Sequence, residues 1–373
     1  MAIEQGARAN LITAEMLGGV ELESRDRNLV TELVYGTCRM QRACDWLISR
    51  HAKGRLDVEV RSALRMGTYQ IGWTRIPPHA AVSATVEEVH GPGRTMVNAV
   101  LRRVADDVSK GLVAWPDRAT EMSYPDWIVD TLTNDLGRVR TFAALAQMNE
   151  PASATHRDDG YIQDLASQLV ASHLDGLLAA RRAADDGRQP LVLDLCAAPG
   201  GKATALAAGS SHPFVVASDV SVERCRYTAS NINRLGQTEA VTVVADGTEA
   251  PFRPASFDLV LVDAPCSGLG VLRRRPDARW RIQPGDVDRL AGLQRRLLVS
   301  ALSLVRPGGI VAYSVCTLSA AETASVDNWL AQIAPGWRPL RPPGSPWNHA
   351  GRGALLLPQD AGTDGMYLLS LTN

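Results

Sequence analysis

Two cysteines stand where a reaction could use them. One lies in Asp263-Ala-Pro-Cys266-Ser-Gly, directly after an apolar run, and the other in Ser314-Val-Cys316-Thr-Leu, directly after another. Both runs read as buried strands, so both thiols follow strand ends that face one cleft. A lone cysteine is ordinarily a small core apolar residue. Two thiols beside an aspartate at one edge of a sheet have the makings of covalent and proton-transfer chemistry. The thiols of Cys196, inside a strand and glycine turn, and of Cys225, inside a helical stretch, read as packing groups instead.

That edge must also hold a second reactant, and the stretch Leu191 to Lys202, LVLDLCAAPGGK, supplies its cradle. A strand runs into a turn with Pro199, Gly200 and Gly201, and Lys202 opens a helix-forming run. Glycines let a backbone approach a ligand closely, and the first turn of a helix offers free N–H groups. The pattern is neither GxGxxG nor a P-loop, so a dinucleotide and a triphosphate are both disfavoured. A ligand carrying an amino-acid carboxylate and an adenosine suits it, which describes S-adenosylmethionine. Asp219 ends the next apolar run and is placed to accept from both ribose hydroxyls, while Asp246, after the third, is placed to accept from the adenine amino group.

The elements that position these residues alternate. Strands are predicted at Leu191–Leu195, Phe214–Ser218, Ala240–Val244, Leu259–Asp263, Gly309–Ser314 and Tyr367–Leu371, with helices between the earlier ones. This is an α/β fold with a doubly wound, mostly parallel sheet, whose ligands sit at the carboxyl ends of the strands. Residues before about 115 read differently, as helices throughout. Leu29, Leu33 and Val34 fall on one helical face, as do Val60, Ala63, Leu64 and Ile71. Further helices are expected over His79–Val89 and Arg94–Val104, another from the Ser123 region to Leu145, and another from Tyr161 toward Ala180. The expected division is 1–115, a linking region 116–160, and 161–373.

Composition sets outer bounds. The 373 residues suffice for two or three cores, and a formal net charge of −1 makes any nucleic-acid surface a local one. Six cysteines without CxxC or zinc spacing read as free thiols in a reducing cytosol, and no metal site is expected. There is no stretch of signal-peptide character and no apolar run of about 18 residues, the length of a membrane span. One local basic surface stands out: Arg273, Arg274, Arg275, Arg279 and Arg281 surround Trp280 just after the Cys266 loop. Arginines suit phosphates and an aromatic suits an unstacked base, so Arg273, Arg274, Arg275 and Trp280 are candidate RNA contacts.

The residues also carry a resemblance. DRNLVTELVYGTCR (Asp26 to Arg39), VRSALRMGTYQI, PPHAAVSATVEE and VNAVLRRV resemble, in that order, a NusB-like RNA-binding domain, with the chain starting inside that domain's first helix. LDLCAAPGGK, SDVS, ADG, VDAPCSGLGVLRRRPDARW, RPGGIVAYSVCTLSAAE and LPQDAGTDGMY resemble the RNA 5-methylcytosine methyltransferases. Together they make the chain similar to the bacterial RsmB (Sun/Fmu) subfamily, which methylates small-subunit ribosomal RNA. The region between SYPxW and the Gln163-Asp segment looks abbreviated beside that family.

The resemblance implies an all-helical NusB-like domain followed by a Rossmann-like class I methyltransferase domain. It implies Cys316 as nucleophile toward cytosine C6, Cys266 in release, and Asp263 on the N3/N4 edge of the base. The cofactor would be held by Cys196, Ala197, Ala198, Pro199, Gly200, Gly201, Lys202, Asp219, Asp246 and Asp263. A cytoplasmic monomer acting on RNA is expected. The same chemistry on transfer RNA, or a non-catalytic RNA-binding or assembly protein, are the alternatives. The intact cysteines, Asp263 and glycine turn count against the latter.

Overall fold

A computed structural model describes residues 2–3, 6–182 and 187–373. By its internal packing the chain forms two compact units, residues 1–151 with 272–282, and residues 152–271 with 283–373.

The first unit is helical. Its helices are Ala9–Gly18 (α1), Ser24–Arg39 (α2), Gln41–Ser49 (α3), Val58–Trp73 (α4), Pro78–Glu87 (α5), Gly93–Ser109 (α6), Arg118–Glu121 (α7), Asp126–Leu136 (α8) and Arg138–Gln147 (α9). Val97, Val100, Leu101 and Val104 recur at helical spacing on α6 and are buried with Leu47, Leu64 and Ile71. Of the face expected on α2, Leu33 packs against this core and Val34 is half-buried, but Leu29 is exposed; the fully buried residues are Gly36, Cys38 and Arg39. A small residue is required there, because a Cβ on Gly36 would overlap the Tyr69 ring of α4. The helix expected from Ser123 to Leu145 is two helices. Gly137, at φ 80°, breaks it in a conformation side chains rarely adopt.

Residues 116–151 therefore belong to the same unit as the preceding helices, where a separate linker was expected. The unit also takes in 272–282, with the short helix Ala278–Arg281 (α13). Arg279 is fully buried there. Its Nη1 donates to the carbonyls of Arg39 (3.2 Å) and Ser123 (3.1 Å) and to Asn149 Oδ1 (3.0 Å). Its guanidinium lies 3.8 Å from the Tyr124 ring centroid.

The second unit is an α/β sheet. Leu165–Arg182 (α10) precedes Leu191–Asp194 (β1), Gly201–Ala207 (α11), Phe214–Asp219 (β2), Val222–Arg234 (α12), Ala240–Val244 (β3) and Phe257–Asp263 (β4). Pro284–Leu304 (α14), Val305–Val315 (β5), Ala324–Ile333 (α15), Arg338–Pro339 (β6), Asn348–Ala350 (β7), Gly353–Leu356 (β8), Pro358–Ala361 (α16) and Met366–Thr372 (β9) complete it. The strand order is β3-β2-β1-β4-β5-β9-β8-β7, with β6 also on β9. The first five strands pair in parallel and β9 returns antiparallel to β5. Val192, Leu193 and Leu259 to Val262 are completely buried, as parallel strands covered on both faces must be. All six expected strands form, whereas the short strands β6, β7 and β8 were not anticipated.

The helix expected to begin at Tyr161 begins at Leu165. Before it, residues 155–163 make a small hairpin: Gln163 N donates to Thr155 O (2.9 Å) and Arg157 N to Tyr161 O (2.9 Å).

Candidate active site

The ends of β1, β2, β3, β4 and β5 all carry residues singled out from the sequence. At β1 the chain turns through Ala198-Pro199, a cis peptide, to Gly200 at φ 98°, which starts α11. The turn is fixed by its own backbone, with Gly200 N donating to Ala197 O (2.7 Å) and Ala197 N to Ser218 O (2.7 Å). Side chains of α12 hold its outer carbonyls: Asn231 donates to Pro199 O (2.9 Å) and Arg224 to Ala198 O (2.5 Å). Arg157 of the hairpin donates to Gly201 O (2.8 Å) and Thr204 Oγ1 (3.0 Å), bracing the start of α11. Burial pushes the Cys196 thiol far above its ordinary value.

Carboxylates line the strand ends. Asp219 is almost wholly buried; it accepts from Ser221 N (3.0 Å) and stands 3.2 Å from Arg224. Asp246 is exposed and accepts from Thr248 N (2.8 Å) and Oγ1 (2.7 Å), which hold its carboxyl below the usual range. Asp194, at the end of β1, was not picked out from the sequence. It is fully buried with neither carboxyl oxygen hydrogen-bonded. Burial first, then the Asp263 charge, pushes it up to about 8. Its one visible signal was a charged residue inside the apolar run LVLDL.

Lys202 is nearly buried and aims its ammonium at Asp263, Nζ to Oδ2 2.9 Å, with Ser167 Oγ at 3.3 Å. Burial alone would lower its pKa; the Asp263 charge and hydrogen bond outweigh it, with Cys316 adding, and the net shift is upward. Lys202 is thus a fixed cation coupled to both Asp263 and Cys316. The two thiols lie together, Cys266 Sγ 3.3 Å from Cys316 Sγ. The Cys316 contact, then burial, hold the Cys266 thiol well above its usual value. Loop 264–270 is stitched to β5 by Ala264 N to Ser314 O (3.0 Å) and Gly270 N to Cys316 O (3.0 Å).

A second group missed in the sequence lies under this loop. Glu322, in the 3-10 turn Ala320–Glu322, is fully buried. It accepts from Ser267 N (2.8 Å), from Ser267 Oγ and from Gln294 Nε2 (3.0 Å). Burial raises its pKa against the pull of those donors.

The structure thus brings Asp263, Cys266, Cys316 and Lys202 to one place and sets Asp219 and Asp246 at the adjoining strand ends. It puts the candidate RNA cluster to another use. Trp280 donates its indole N–H to Cys38 O (2.6 Å), and Arg273 donates to Glu150 O (3.1 Å) and Pro151 O (2.8 Å), all within the helical unit. Trp280 is half-buried, with its indole N–H fixed within the helical unit. Arg275 is exposed and Arg274 half-buried.

A strand-ordered set of carboxylates around a glycine turn suits a cationic, hydroxyl-bearing ligand. Fold and site define a methyltransferase whose methyl donor is S-adenosylmethionine.

Residues 183–372 match the family 16S rRNA methyltransferase RsmB/F, and residues 3–106 match the NusB family. The chain belongs to the RsmB/F family and is an RNA methyltransferase. It is 35% identical over 433 positions to a Mycobacterium tuberculosis protein named "Putative methyltransferase Rv1407", covering 98% of this chain and 92% of the relative. It is 30% identical to ribosomal RNA small subunit methyltransferase B of Xanthomonas campestris, covering 98% and 92%. The first alignment is longer than this 373-residue chain, so that relative carries segments the chain lacks. Among solved structures, the protein PH0851 superposes with a TM-score of 0.71 at 21% identity, over 94% of this chain and 91% of that one. A methyltransferase homolog from Pyrococcus horikoshii gives 0.54 at 22%, over 69% and 99%. Both are likenesses of fold. No described helix is long and apolar enough to cross a membrane.

Proposed function

We propose that the protein methylates C5 of a cytosine in small-subunit ribosomal RNA through a covalent adduct between Cys316 and cytosine C6. The observation that carries this is the thiol pair, two sulfurs 3.3 Å apart beside the Lys202–Asp263 ion pair.

C5 of cytosine is a poor nucleophile. Addition of the Cys316 sulfur at C6 breaks the C5=C6 π bond and makes C5 an enamine carbon, dividing one hard step into two easier ones. Lys202, held on Asp263 Oδ2, gives the cluster a fixed cation, the kind of neighbour a thiolate needs. Asp263, with Lys202 on one oxygen, meets the N3/N4 edge with a proton shared between its other oxygen and N3, and that proton offsets the negative charge that develops on the ring as the thiolate adds. The 196–202 turn, with Asp219 and Asp246, would hold S-adenosylmethionine, which would supply a methyl to C5 from its sulfonium and leave as the neutral thioether. Once Cys316 is bonded to C6, Cys266 gives its own proton to solvent and, as the thiolate, accepts the C5 proton. The C–H electron pair restores C5=C6, and the C6–S bond breaks to return Cys316. The cytosine must be unpaired or flipped out, since addition at C6 needs the ring face. We assign the helical unit to RNA binding and take the acting species to be a monomer.

The test is Cys266→Ala incubated with S-adenosylmethionine and RNA from cells lacking this enzyme. A denaturant-resistant protein–RNA adduct is expected, absent from Cys266→Ala/Cys316→Ala, and sequencing the trapped RNA identifies the substrate. No adduct, with no methyl transfer by the unaltered protein to any RNA, overturns the enzyme reading. An adduct on transfer RNA keeps the mechanism and changes the substrate.

A further inference from the structure

We infer that Glu322 is a positioning residue that holds the Cys266 loop, so that release of product depends on it while the first attack by Cys316 does not. The inference rests on the two-thiol reading above.

The two cysteines are held by different means. Cys316 directly follows β5, which pairs with β4 as far as Ser314 and with β9 as far as Val315. Cys266 lies on a loop after β4 has ended. Both neighbours of Cys266 are fastened from below. Pro265 O accepts from Gln294 Nε2 (3.0 Å), and Ser267 gives its N–H and its hydroxyl to Glu322. Gln294 also donates to Glu322 Oε1, and its own Oε1 lies 2.8 Å from the Tyr313 hydroxyl. The Ser267 hydroxyl stands 2.9 Å from Thr317 Oγ1, next to Cys316. One carboxylate therefore joins the loop of Cys266 to α14 and to the residue after Cys316. Glu322, Gln294, Tyr313, Thr317 and Ser267 are all buried, and none belongs to the turn that takes the cofactor.

Removing the carboxylate frees the loop but leaves the strand. Glu322→Ala is then expected to complete its first methyl transfer and stall, because a displacement of about 1 Å at Cys266 costs roughly 100-fold in the step it serves. Glu322→Gln keeps an oxygen for Ser267 N and Gln294 Nε2, and its amide can donate to the Ser267 hydroxyl, so it restores the hold without the charge.

The experiment compares the unaltered protein, Cys266→Ala, Glu322→Ala, Glu322→Gln and Ser267→Ala, all full-length. It reads steady-state kcat, affinity for S-adenosylmethionine, and denaturant-resistant adduct. Expected for Glu322→Ala are kcat down about 100-fold, unchanged S-adenosylmethionine affinity and an accumulated adduct, with Glu322→Gln within about threefold of the unaltered kcat. Wild-type turnover in Glu322→Ala overturns the inference. So does a folded, S-adenosylmethionine-binding Glu322→Ala that is inactive without adduct, since Cys316 is then what was displaced. If Glu322→Ala does not fold, Ser267→Ala decides: several-fold more adduct than the unaltered protein supports the hold, and none refutes it. Absence of adduct in Cys266→Ala marks failure of the two-thiol reading instead.

Discussion

Arg279→Met asks whether the arginine-rich segment after the Cys266 loop is a packing element or an RNA contact. Arg279 has no exposed surface. Its guanidinium donates to Arg39 O, Ser123 O, Asn149 Oδ1, Tyr124 OH (3.1 Å) and Leu272 O (3.4 Å). Methionine keeps the aliphatic bulk and removes every donor. Each buried acceptor left alone costs about 1–3 kcal/mol, and loss of the contact with the Tyr124 ring adds about 1–2 kcal/mol. Against this stands the cost of burying the cation, which is large enough to lower its pKa to about 10. Because that cost is relieved, the net loss is about 3–5 kcal/mol, the range for removing one side of a buried charged network. At about 2–4 °C per kcal/mol for a unit of this size, the helical unit should melt roughly 6–20 °C lower. Thermal unfolding followed by circular dichroism, with Arg279→Lys beside it, reads this directly. Lysine keeps the charge without the fork, and should recover only part of the loss. A melting shift under about 2 °C, together with an RNA-binding salt slope reduced by about one charge, would refute the packing role and return Arg279 to the phosphates.

Two further perturbations address the catalytic unit. A Cβ on Gly270 would overlap Gly365 O and stand 2.9 Å from Cys316 O, both of them backbone, so Gly270→Ala must push apart the segment that carries Cys316. A loss of about 1–3 kcal/mol in stability and of about 100-fold in methyl transfer is expected, and an unchanged kcat would show that the loop absorbs the methyl group. Asp194 gives a pH signature. Its folded pKa of about 8 exceeds the unfolded value of about 3.9, so the folded chain holds a proton the unfolded chain releases. That contribution to stability is fully present below pH about 4 and is lost as pH rises through about 8. Melting temperatures measured from pH 5 to pH 9 should fall for the unaltered protein and fall less for Asp194→Asn; parallel curves would reject the buried acid.

The site was legible where neighbours in sequence are also neighbours in space. A parallel strand covered on both faces has to be an apolar run, and the residues just past its carboxyl end have to face the ligand edge. Asp219, Asp263, Cys266 and Cys316 could therefore be read from position alone. The same reasoning misplaced the start of α10. Gly160 at φ 78° turns the chain back, and Asp164 Oδ1 accepts from Ala166 N (2.9 Å), so the helix opens after a capping aspartate. That signal was present in the sequence, yet the helix was expected to begin four residues before Leu165. Arg279 and Trp280 are different. Their partners at Arg39 and Cys38 lie 240 and 242 residues away, and no local pattern separates an arginine that meets solvent from one that replaces solvent for buried carbonyls. Glu322 is the same problem in reverse. A charged residue in the run SAAE looks like an exposed helix start, yet its donors Ser267 and Gln294 come from 55 and 28 residues away. A buried carboxylate is retained only where such donors converge. Its function therefore belongs to the group of elements that surround it, and it becomes readable only once β4, α14 and the turn after β5 are folded together.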